Sequence, residues 1–129
     1  MNLIKQKPLT LAISSLVLIS SFAFNFGQAA AVPAAPKVKF DAVKKVLDAK
    51  CISCHNDKRH PGGVDLSSFD SVMKGGQHGV IVIAGKPDKS DLVQYVNGKK
   101  TPRMPMRQAA LSDKDIATIS DWVKGGAKK

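Results

Sequence analysis

The chain has 129 residues, with 20 basic and 10 acidic side chains, every acid an aspartate, and a net charge of +10. This is enough for one domain with a small core, and a positive surplus of this size steers a protein towards anionic partners. Nucleic acid does not fit as that partner, because no dense basic run and no aromatic stacking platform accompanies the charge.

The first predicted element is a leader. Lys5 and Lys7 give a positive start, an apolar run follows from Leu9 to about Phe26, and small residues cluster at Gly27-Gln28-Ala29-Ala30-Ala31. That pattern predicts a signal peptide over residues 1–31, cut after Ala29 or Ala31, and export to the periplasm. The absence of a nearby cysteine argues against a lipid anchor. A retained membrane anchor is the alternative, since the run approaches the length of a span. Ser14, Ser15, Ser20, Ser21 and Asn25 dilute it. Loss of Lys5 and Lys7 leaves 18 basic residues against 10 acidic ones, so the mature chain keeps a net charge of +8.

Residues 32–36 (Val-Pro-Ala-Ala-Pro) read as a flexible linker, and 37–129 as the domain proper. Phe40, Val43, Val46 and Leu47 fall at helical spacing and predict a helix from about Val38 to Lys50. His60-Pro61-Gly62-Gly63 reads as a turn. Ser67 or Ser68 caps a short helix that Gly75-Gly76 ends. Val80 to Ala84 has strand propensity but no partner strand, so a buried extended loop is expected. Ser90 is the expected cap of a helix carrying Leu92, Val93, Tyr95 and Val96, stopped at Asn97-Gly98. Residues 99–110 form a loop with two prolines and two methionines. Ser112 and Asp115 start a last helix with Ile116, Ile119, Trp122 and Val123 on one face. There is no internal repeat and no βαβ pattern. The fold class predicted is all-α, a small domain of about four helices.

The chemistry sits in Cys51-Ile52-Ser53-Cys54-His55, which contains both cysteines of the chain. C-x-x-C-H is the attachment sequence of c-type haem. Folded as one helical turn, it projects Cys51, Cys54 and His55 from the same face. Two thiols there can form thioethers with the haem vinyl groups while the imidazole reaches the iron. Disulfide or dithiol chemistry is the competing use of the pair. The sixth iron ligand must come from elsewhere. Met104 in Arg103-Met104-Pro105-Met106 is the leading candidate, a soft thioether in a loop stiffened by Pro102 and Pro105, with Met106 in reserve. His60 or His78 would instead give a bis-histidine site. Met73 is expected in the core. Trp122 is expected to pack on Phe40, a propionate contact being the alternative, and Tyr95 is open between the same two roles. The carbonyl of Pro61 or Pro87 is expected to receive the imidazole N–H of His55.

On these residues the chain resembles a small class I c-type cytochrome, most of all the single-haem domains of the planctomycete-type cytochrome c group. The resemblance rests on the C-x-x-C-H run, Gly62-Gly63-Val64-Asp65-Leu66, Gly75-Gly76 and Ala84 to Leu92. It continues through Met104-Pro105 and Ile119 to Ala127. It implies a fold in which the first and last helices cross and pack, and a distal methionine at Met104. The chain departs from the group's Met-Pro-Pro, carrying Met106 in place of the second proline.

The expected function is therefore a soluble, exported, mono-haem one-electron carrier, not an enzyme, working as a monomer with redox partner proteins that present acidic docking surfaces. The competing functions are a haem enzyme or gas sensor with an open distal position, a haem subunit of a larger oxidoreductase complex, and a haem-free thiol oxidoreductase.

Overall fold

The structure is a computed structural model that describes residues 37–129. The expected signal peptide (1–31) and linker (32–36) lie outside the described residues. Helix α1 (Phe40–Lys50) begins two residues later than its periodicity suggests, because Lys39 is extended at its N-terminus. It buries Phe40, Val43, Val46 and Leu47, the four positions that define its apolar face. Asp41 in its first turn and Lys50 in its last complement the helix dipole.

Helix α2 (Phe69–Lys74) is capped by Ser68, whose hydroxyl accepts the Ser71 N–H. It ends at Gly75, whose φ of +85° and 2.3 Å approach of a would-be Cβ to the Gly79 carbonyl exclude any side chain. Helix α3 (Asp91–Val96) follows the 80–84 segment, which pairs with no strand among the described residues. Contrary to the expected buried extended loop, this segment bends at Ile81, turns at Ala84 and buries only Val82, leaving Val80 exposed.

Ser90 does not cap α3, contrary to the expectation from its position. Its fully buried hydroxyl turns back into the preceding loop, accepting the Ile83 N–H at 2.8 Å and donating to the Lys86 carbonyl at 2.9 Å. The Leu92 N–H at the start of α3 is satisfied by the Ile81 carbonyl instead, so no side-chain cap is needed there.

Helix α4 (Asp113–Lys124) starts at Ser112, whose hydroxyl accepts the Asp115 N–H at 3.2 Å and donates to the Asp115 carboxylate. Its buried face of Ile119, Trp122 and Val123 lies on α1, and this pairing is the backbone of the core. Phe40 from α1, Phe69 from α2 and Trp122 from α4 form an aromatic triad with ring centres 5.3–6.4 Å apart. Such pairs contribute about 0.5–1.5 kcal/mol each beyond the area they bury. Trp122 therefore packs on Phe40, and its indole N–H is already taken by the Lys128 carbonyl at 2.7 Å. With four α-helices, two 3-10 turns (Pro61–Gly63 and Pro87–Lys89) and no strand among the described residues, the domain is all-α.

Replacing Ser90 with Ala leaves the Ile83 N–H and the Lys86 carbonyl without their partner in a buried loop. The expected cost is about 1–3 kcal/mol, read from a denaturant-unfolding curve. An unchanged midpoint would show that the loop holds without this serine.

Candidate functional site

Helix α1 delivers the chain into Cys51, and the helical path continues one turn further. The Cys54 and His55 N–H groups both donate to the Cys51 carbonyl, at 3.1 and 2.9 Å. This is the single turn that the motif spacing requires, and it brings Cys51, Cys54 and His55 to one wall of a common cavity. The two thiols are not joined to each other. Burial pushes the Cys51 thiol up to about 11, so it is held as the neutral thiol.

The cavity has a volume of about 640 Å³, within the roughly 300–1,000 Å³ of small-molecule and cofactor sites. Its walls come from the motif, the 61–66 segment, the 76–81 loop, α3 and the 102–108 loop. Val64, Leu66, Ile81, Leu92 and Val96 make much of the lining apolar.

The imidazole of His55 is held by a 3.0 Å hydrogen bond between Nδ1 and the Val64 carbonyl. A carbonyl can only accept, so Nδ1 carries a proton, and in the neutral imidazole Nε2 then keeps its lone pair for a metal. The acceptor is Val64 and neither Pro61 nor Pro87. Two features hold the Val64 segment in place. The Leu66 N–H donates to the His55 carbonyl at 3.0 Å, and the 62–63 and 76–77 backbones interlock through a 2.8 Å bond from the Gln77 N–H to the Gly62 carbonyl. Gly76 has no room for a side chain: a Cβ would lie 2.6 Å from the Gly62 oxygen and 2.7 Å from a Val64 methyl. Sequence patterns signal this only as paired glycines; the carbonyl that orients the histidine has no side-chain signature.

Met104 and Met106 both line the cavity, in unlike settings. The Met104 N–H donates to the Tyr95 carbonyl of α3 at 3.0 Å, and its side chain is partly buried against the core. Met106 is one of the two exposed large hydrophobic residues of the described chain, at 48% exposure. His78 lines the cavity from the 76–79 turn, whereas exposed His60 lies apart and bonds the Asn56 carbonyl through Nδ1. Met73 packs against the core, as its place in a helix predicts. Tyr95 lines the cavity too, with the Lys100 ammonium 5.7 Å from its ring centre.

Residues 51–107 match the family model described as Planctomycete cytochrome C. Over these residues the chain is similar to the planctomycete-type cytochrome c family. No curated protein and no solved structure matches the chain. That family implies haem c, and the donor set lining the cavity fits it. Two thiols, an imidazole held through Nδ1 and a thioether share one mainly apolar cavity. No helix among the described residues is long and apolar enough to cross a membrane.

Gly76→Ala forces its new methyl into the Gly62–Val64 backbone. Overpacking of this kind costs about 1–3 kcal/mol, expected as a lower unfolding midpoint together with a disturbed imidazole environment in the visible spectrum. A variant as stable as the parent, with an unchanged spectrum, would remove the interlock as a support of His55.

Proposed function

We propose that this cytochrome c domain is an exported one-electron carrier with a single haem, held covalently through Cys51 and Cys54. His55 is the proximal iron ligand and Met104 the distal one. When bound, the haem supplies one-electron exchange at iron between the ferric and ferrous states. The observation that carries the reading is the cavity itself, which collects both thiols, the imidazole and the Met104 side chain.

The chain's own part follows from the donors. The Cys51 and Cys54 sulfurs tether the group to the end of α1, and the aromatic triad holds α1 against α4. The Val64 carbonyl orients His55 and, by accepting its Nδ1 proton, raises the basicity of Nε2. Met104 is favoured over Met106 because its backbone is tied to α3 and its side chain rests on the core, which lowers the ordering cost of presenting sulfur. A neutral thioether opposite imidazole raises the reduction potential relative to two imidazoles. If His55 and Met104 both held the iron, it would offer no open position to a substrate, which supports a carrier over an enzyme. The leader supports a periplasmic location, and the surplus of basic residues supports redox partners with acidic docking surfaces.

The deciding experiment is a visible spectrum of the purified mature protein in both redox states, with its mass under denaturing conditions. Covalent haem and resistance of the ferrous protein to carbon monoxide are expected; loss of the group on denaturation would overturn thioether attachment. Rapid carbon monoxide binding by the parent protein would favour the haem-enzyme or sensor reading. Thiols that react freely in the exported protein would favour the thiol oxidoreductase.

Met104→Ala is expected to admit carbon monoxide and to lower the potential, by a share of the roughly 0.8 V that axial ligands span. Met106→Ala is expected to do neither. The reverse pattern would transfer the distal role to Met106. N-terminal sequencing of the exported protein should begin at Ala30 or Val32; a start at Met1 would mean the leader is retained.

A further inference from the structure

Asp91 is the one carboxylate among the residues lining the cavity, where the other charged side chains are Lys50, Arg59 and Arg107. It stands at the first position of α3, and it does not face the cavity uncompensated. The Lys100 ammonium lies 2.6 Å from Asp91 Oδ1 and 5.7 Å from the centre of the Tyr95 ring, which lines the same wall. The backbone carries Lys100 to this place, its N–H donating to the Gln94 carbonyl at 3.0 Å. Hydrogen bonding to Asp91 raises the Lys100 pKa above the usual lysine range, so the ammonium keeps its charge at neutral pH.

We propose that the Asp91–Lys100 pair tunes the reduction potential of this site, Lys100 cancelling the field of a carboxylate that would otherwise favour the oxidised iron. This rests on the haem reading above. Ferric iron carries one more positive charge than ferrous iron, and the redox step moves one electron to or from a redox protein or an electrode. An unpaired negative charge in the wall stabilises the ferric form and lowers the potential. An unpaired positive charge in the same wall does the opposite. Lys100 sits five residues after Tyr95 and four before Met104, so the segment that carries the distal candidate also carries the compensating charge. The side chains of the pair are 40% and 35% exposed, and a pair this open contributes little to folding. Its consequence is therefore sought at the site and not in stability.

The test is a spectroelectrochemical titration of the haem-loaded protein and three variants at low ionic strength, with the spectrum of each recorded to verify thioether ligation. Lys100→Gln is expected to lower the midpoint potential and Asp91→Asn to raise it. The double variant D91N/K100Q is expected to return near the parent value. Added salt should shrink both single shifts, because a half-exposed pair is screened. Single variants that shift in the same direction, or neither of which shifts, would overturn the proposal. So would loss of the thioether signature in either single variant, because the pair would then be a structural strap for the 99–104 loop. A parent protein without covalent haem would instead overturn the underlying reading, and the parent spectrum shows that before any variant is measured.

Discussion

The hydrogen bond from His55 to the Val64 carbonyl is the constraint on which the site depends. A histidine beside two cysteines can rotate about two torsions, and only one setting leaves the correct nitrogen bare in the cavity. A backbone acceptor nine residues downstream selects that setting. The price of such an acceptor is that an otherwise irregular segment must be immobile, and Gly63 and Gly76 provide this by letting two loops approach more closely than any side chain would permit. Gly63 and Gly76 thus support the setting of His55, and Gly76 lines the cavity as well.

Most of the helical fold is legible in the sequence because its cause is local. Phe40, Val43, Val46 and Leu47 repeat at helical spacing, as do Ile116, Ile119, Trp122 and Val123, and both sets are found on the α1–α4 interface or beside it. The Cys51–His55 turn is legible for the same reason, since i to i+3 and i to i+4 geometry is set by the helix alone. Ser90 marks where that legibility ends. It has the composition of a cap, but a long loop folding back on it offers a buried N–H and carbonyl, and these win the hydroxyl. Phe69 was likewise silent: it opens a short helix, and only the crossing of α1 with α4 gives it two aromatic neighbours.

The methionine side of the cavity is organised differently from the histidine side. Nothing in the residue types at 104 and 106 separates the two methionines; what separates them is backbone attachment. Met104 is tied to α3 by its N–H and lies against the core, while Met106, two residues further, is largely in solvent. The same segment carries Lys100 to Asp91. One loop, anchored on one short helix, thus bears both the donor proposed for the iron and a charge beside it.

The bond from the Trp122 indole to the Lys128 carbonyl ties the segment after α4 to the interior. Trp122 is fully buried, and its ring is shared by the three helices of the aromatic triad. Ala127, just ahead of the acceptor, is buried as well. A truncation after Lys128 would leave this clasp intact, whereas one that removed Lys128 would strand an indole donor in the core. A purification tag joined directly to Lys129 would hang from the residue adjoining that acceptor. A spacer after Lys129, or a tag at the other end of the mature chain, respects the clasp.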